Sequence, residues 1–245
     1  MKPTLNRSPE RAPLLAFGAH PDDIEFGCGA VIAKETRAAR PAHFVVCSRG
    51  ESGTSGTAKG RTAEAKRSAA LLGASLEFVE LDGDAHLEPS VAHAIRLAGI
   101  IRRTRPSIVL APSLVENQHP DHYRLGRLVR DAVRLARYGG LSELRGASPH
   151  PVGQILFYAV TPQAEPLDLA RVLIDISEPE IIEAWTSAMS AHLSQAATRN
   201  YVELQVTRAR LNGLRAGVSH AIALFPNDPL VLDSIAQLGL GARRF

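Results

Sequence analysis

Leu14-Leu15-Ala16-Phe17-Gly18-Ala19-His20-Pro21-Asp22-Asp23 is the stretch that decides the fold. Four apolar residues running into Gly and a His-Pro-Asp-Asp turn are too few for a helix and fit a strand buried on both faces. The pattern returns later in the chain: Ile108-Val109-Leu110-Ala111 is a second apolar run, and His119-Pro120-Asp121-His122 follows it. Alone, either tetrapeptide reads as a turn in which Pro sets φ and Asp caps the next helix or offsets its dipole. Two of them, each placed after a strand, point to one metal site assembled from both.

Outward from these runs, the chain alternates. A helical pattern covers 28–39, a strand 43–47, and a loop with four glycines 48–60, which suits a substrate loop or lid. A helix over 62–72 is closed by Gly73. A strand at 76–81 leads to an acidic loop, 82–88, and a helix at 90–103. Pro120 stands where the next helix opens, a position in which its missing N–H costs nothing, and that helix runs to about residue 137. Strands at 154–160 and 172–176 and helices at 178–195 and 201–216 complete the pattern. The expected fold is α/β, a Rossmann-like three-layer arrangement with a mostly parallel sheet. Ligands bind such sheets at the carboxyl ends of the strands, so both tetrapeptides share one rim. One domain over 1–245 is expected, with 1–12 as a loose arm.

Composition narrows the classes of function. With 28 Lys and Arg against 25 Asp and Glu, the net charge is +3, without a basic tail or stripe, and no nucleic-acid partner is implied. Cys28 and Cys47 suggest a reducing compartment rather than a disulfide. No apolar run reaches the length of a membrane span, and residues 1–13 lack the core of a signal peptide. A cytoplasmic protein with no membrane partner is expected.

The chemistry follows from residue types. A catalytic zinc takes three protein ligands and keeps one position open for water. His20 and His122 with one carboxylate of the Asp22-Asp23 pair supply such a set. The other carboxylate then stands beside the metal, free to take a proton. Spacing does not decide which aspartate does which. His119, one turn from His122, faces the same cavity and is placed to stabilise an oxyanion or a departing amine. Asp121 either offsets the helix dipole or orients a histidine. Among the other candidates, His43, His86 and His93 lack ligand spacing, Asp84 is a loop acid expected to be solvated or against sugar hydroxyls, Cys28 is core and Trp185 is packing.

Together the two motifs resemble the signature of the PIG-L/LmbE zinc-dependent N-deacetylases. Gly56-Thr57 with Arg61 and Glu64 is similar to that family's substrate-loop segment, and Pro149-His150-Pro151-Val152 to its entry into the next strand. Ile174-Asp175-Ile176-Ser177, Ser194-Gln195 and Tyr201-Val202-Glu203 match later landmarks. The nearest branch deacetylates N-acetylglucosaminyl malate on the way to bacillithiol. The resemblance implies His20, Asp23 and His122 as zinc ligands, Asp22 as general base and His119 as the charged group beside the tetrahedral intermediate. It implies Arg61 as a substrate contact, whose bland alternative is a solvated arginine at a helix start. It also implies an amino-sugar substrate, a homo-oligomer (trimer or hexamer), and zinc that ferrous iron can replace. Two departures concern the substrate. Where relatives carry Tyr-Ala-Glu, this chain has His220-Ala221-Ile222, so that His220 would take the tyrosine's place in binding substrate. Gln118 stands where relatives often have Arg.

Three rivals remain. A deacetylase of another N-acetylglucosaminyl or chitin-type amide differs only in substrate. A nucleotide-binding module would need a complete Gly-x-Gly-x-x-Gly, and only Gly27-Cys28-Gly29 is present. A non-catalytic metal protein has no use for a free carboxylate at the metal.

Overall fold

The structure is a computed structural model describing residues 12–116, 119–196 and 200–238. Gln118, and the arm expected over 1–12 except for Ala12, lie outside the described residues.

Chain order is β1 (Leu14–Gly18), α1 (Asp23–Arg37), β2 (Ala42–Val46), α2 (Ala58–Leu71), β3 (Ser75–Phe78), α3 (Val91–Thr104), β4 (Ile108–Pro112) and α4 (Pro120–Ala136). Then come β5 (Gln154–Tyr158), β6 (Val172–Asp175), α5 (Pro179–Ser190), α6 (Leu193–Ala196), α7 (Tyr201–Ala216) and β7 (Ala221–Pro226). The sheet runs β3-β2-β1-β4-β5-β7-β6. Strands β1 to β5 are parallel, and β7 is antiparallel to both neighbours.

Period-two alternation separates the two cores. Leu15 and Phe17 face α3 and α4, packing with Leu97, Ile101, Leu125 and Val129. Leu14 and Ala16 face the other layer, with Ile24, Val31, Leu72, Trp185 and Ala209. The doubly wound expectation is met. Strand order reverses between β1 and β4, because β2 and β3 lie on one side of β1 and β4 on the other. A crevice opens at that switch point, between the loops that follow the two strands.

Some bounds differ for physical reasons. α1 begins at Asp23, not residue 28, and every residue from Asp23 to Ala33 is buried. An all-round buried helix has no polar face, so the 3.6-residue period does not mark its start. Gly27 sits there because the Tyr158 ring lies on it; an added Cβ would come 2.1 Å from Tyr158 Cδ2. The helix expected over 178–195 breaks into α5 and α6 around His192, whose ring is fully buried beside Glu25. Residues 221–226 form β7, a strand absent from the sequence reading, which gave 220–222 to the site. Among the described residues no helix is long and apolar enough to cross a membrane.

Candidate active site

β1 delivers the first half of the site. Asp23 Oδ2 accepts hydrogen bonds from the N–H groups of Ala19 and His20, at 2.8 and 2.9 Å, folding the turn back on itself. That turn puts Asp22 at φ 128°, in the left-handed region where a non-glycine residue is strained. Its carboxylate makes no cap bond to α1. It lies instead 3.4 Å from Arg61 Nη2.

β4 and α4 deliver the second half. His119 is the N-cap of α4, and its Nδ1 accepts from Asp121 N–H at 3.3 Å. His122, one turn in, points at the β1 turn. His20 Nδ1 and His122 Nε2 are 3.2 Å apart, His122 Nε2 and Asp23 Oδ1 3.0 Å, and His20 Nδ1 and Asp23 Oδ2 3.6 Å. Bonds of 2.0–2.1 Å at tetrahedral angles place ligand atoms about 3.3 Å apart, so the His20 and His122 nitrogens are spaced for a zinc-sized ion, and Asp23 meets each of them through a different oxygen. His119 also brings a ring nitrogen within 4.8 Å of those of His20 and His122. Its Nδ1 is engaged, however, which leaves Nε2 to carry the proton of the neutral ring and makes it a donor.

Electrostatics divides the two aspartates. Burial alone would push Asp23 up, but His122 and His20 outweigh it and hold its carboxyl well below the usual range. Asp22 goes the other way: burial and the charge of Asp23 push it up to about 6, against the opposing pull of His192, Arg61 and His20. His119 is depressed by burial and by His20 and His122. The resemblance implied a charged imidazole there; this environment favours the neutral ring. His20 is raised well above its ordinary value although burial opposes it, because Asp23, Asp121 and Asp84 surround it.

These residues line a cleft of about 420 Å³ shared with Phe26, Ser52, Gly53, Thr54, Asp84 and Tyr201, among others. With this geometry in place, comparison with known proteins shows what the chain is similar to. Residues 15–133 match the family model described as PIG-L, GlcNAc-PI de-N-acetylase. Diacetylchitobiose deacetylase of Thermococcus kodakarensis is 29% identical over 194 residues, covering 74% of this chain and 69% of that protein. 4-Oxalmesaconate hydratase of Pseudomonas putida is 31% identical over 150 residues, covering 55% of this chain and 58% of the hydratase. The crystal structure of a conserved protein from Thermus thermophilus superposes with a TM-score of 0.80 at 29% identity, covering 90% of this chain and 97% of that one.

The matched segment thus carries His20, Asp22, Asp23, Arg61, His119, Asp121 and His122 into one place. Arg61 is buried, so it is no solvated arginine. Its Nη1 donates to Gly50 O at 3.0 Å and its Nη2 to Pro21 O at 3.2 Å, tying the glycine-rich loop to the His-Pro-Asp-Asp turn. Asp121 lies 3.3 Å from His20 Nε2, the contact that its reading as a histidine-orienting acid requires, and also stands in the first turn of α4.

His220 is a correction. It hydrogen-bonds Ser219 and Ser177, its backbone oxygen takes the N–H of Ile176, and it does not line the cleft. The adjoining Asp175 O binds Lys34 Nζ at 2.7 Å. Lys34 lies three turns down α1 from Asp23, roughly 16 Å along the helix axis. The tyrosine at the cleft is Tyr201, at the start of α7 and beyond the matched segment.

Sequence reasoning set Asp84 aside as a loop acid, solvated or against sugar hydroxyls, and did not single out His192. Asp84 is 4% exposed, with Oδ1 3.0 Å from His20 Nε2. His192 Nε2 is 3.2 Å from Glu25 Oε1, without hydrogen-bond alignment. A loop acid and a lone histidine inside a helical pattern carry no local signal; only an acid beside glycine in a rim loop hinted at Asp84.

Proposed function

We propose that this protein is a metal-dependent amidohydrolase that removes the N-acetyl group from an N-acetylglucosamine conjugate. The observation that carries the reading is Asp22, a carboxylate left outside the donor set, facing the cleft and pushed up to about 6. A base tuned close to neutral pH can take a proton from water and later return it.

His20, Asp23 and His122 are the proposed holders of the metal, zinc or ferrous iron. When bound, the ion supplies Lewis acidity, acidifying a water and polarising an acyl oxygen. Asp22 accepts the water's proton and delivers it to the departing glucosamine nitrogen. His119 Nε2–H donates to the acyl oxygen as it gains charge. Asp121 steadies His20. Arg61 holds the loop that closes over the sugar.

Within that class the proposed substrates are N-acetylglucosaminyl malate, as in bacillithiol synthesis, and a chitin-type disaccharide. Among the described residues lining the cleft, Arg61 is the one Lys or Arg, and both its terminal nitrogens already donate within the protein. The diacetylchitobiose deacetylase relative favours the neutral disaccharide over the malate dianion. The hydratase relative makes water addition to an unsaturated polycarboxylate the second reading.

The deciding assay loads the purified protein with metal and offers N-acetylglucosaminyl malate, diacetylchitobiose, N-acetylglucosamine and 4-oxalmesaconate. Release of free amine is expected, with the disaccharide ahead. Loss of the conjugated chromophore of 4-oxalmesaconate, with no amine from any sugar, would replace the hydrolase by a hydratase.

A further inference from the structure

We propose that Asp84 is a positioning residue that couples closure of the 49–57 loop to the metal site. The inference rests on the metal reading above and goes beyond it by assigning a residue that the two motifs do not contain.

Each oxygen of the Asp84 carboxylate has its own task. Oδ1 lies 3.0 Å from His20 Nε2, and Oδ2 accepts from the N–H of Ser52 at 3.0 Å. The backbone of Asp84 repeats the connection: its oxygen takes the Ser52 hydroxyl at 2.8 Å, and its N–H donates to Glu51 Oε1 at 2.7 Å. Glu51 Oε2 in turn accepts from Arg49 N–H at 2.9 Å. Three hydrogen bonds therefore run between Asp84 and the stretch that brings Ser52, Gly53 and Thr54 to the cleft.

The contact to His20 acts on the opposite ring nitrogen. A proton held on Nε2 by Asp84 leaves Nδ1 as a lone pair, and Nδ1 is the atom facing His122 Nε2 at 3.2 Å. Asp121 Oδ2, also near Nε2, binds Ala85 N–H at 2.7 Å and so holds the same loop from α4. Between these ties the backbone is wound tightly, with Gly83 at φ +94° and Ala85 at φ +68°. A left-handed alanine is strained and persists only when its surroundings hold it.

Coupling is reciprocal: if metal at His20 favours the closed loop, the closed loop favours metal. Hydrogen exchange across 49–57, measured with and without zinc, tests one direction. Zinc affinity by chelator competition tests the other, in wild type, Asp84→Asn and Glu51→Gln. Zinc is expected to slow exchange of the loop in wild type. Asp84→Asn is expected to weaken zinc by roughly 10–100-fold and to abolish the effect on the loop. Glu51→Gln, on an exposed residue that touches no proposed ligand, is expected to weaken zinc about 5-fold. Fluorescence of buried Trp185 reports whether each variant is folded, and the Glu51 variant carries the test if Asp84→Asn is not. Wild-type zinc binding with an indifferent loop, or wild-type affinity in both variants, overturns the coupling alone. A wild-type chain that binds no metal overturns the functional reading, and the coupling with it.

Discussion

Two adjacent carboxylates, Asp22 and Asp23, differ because one ties down its own turn while the other, at a strained backbone position, meets Arg61 at 3.4 Å and makes no cap bond to α1. Removing each half should separate the roles. Asp22→Ala is expected to keep zinc and lose turnover by about 10²–10⁴-fold, the usual contribution of a positioned base. His122→Ala is expected to lose zinc itself. Metal analysis decides it, and full zinc content in purified His122→Ala would sink the ligand assignment. At this scale much was legible, because His20, Asp22, Asp23, His119 and His122 are packed into two short motifs. Which aspartate faces the donors was not, since neighbours in sequence part company only through a backbone φ of 128°.

At the scale of elements, α4 must lie close to β4 for His122 to reach the β1 turn. Gly126 permits that approach: a Cβ there would stand 2.4 Å from Pro112 O and 3.3 Å from Ser113 O, both backbone. Gly126→Ala is expected to push α4 outward, costing about 1–3 kcal/mol by overpacking and weakening zinc. Urea unfolding together with zinc titration checks this, and a variant with unchanged zinc affinity would show that α4 has slack. Most elements were legible from hydrophobic period and turn residues; α7 was read at its observed bounds. The misses share a cause. α1 starts early because its first turns are buried all round, and the 178–195 helix breaks where His192 turns inward to Glu25.

Across the whole molecule, the Glu25–His192 pair joins α1 to the α5–α6 junction behind the cleft. Burial alone would lower the His192 pKa, but Glu25 outweighs it, with Asp22 and Glu64 adding, and the net shift is upward. A raised folded-state value contributes stability that is complete below the unfolded value near 6.5 and fades as pH climbs through the folded one. His192→Gln would leave the Glu25 carboxylate facing a neutral amide, at a cost of about 3 kcal/mol at pH 6. The deficit is expected to shrink at pH 9. Denaturant unfolding at both values checks it, and an equal deficit at the two would mean that the pair holds no proton-linked charge.

The sequence by itself determined the alternation of strand and helix, the rim on which ligands bind and the motifs that meet there, because strand period, turn residues and local motif spacing are properties of neighbouring residues. The tertiary structure decided what no local pattern encodes. It set Asp84 against His20, left His220 outside the cleft against Ser177 and Ser219, brought Tyr201 to the cleft and buried His192 beside Glu25. Each of these depends on how far one element slides or twists past another. Packing across layers fixes that distance, and packing is written in no single stretch of the chain.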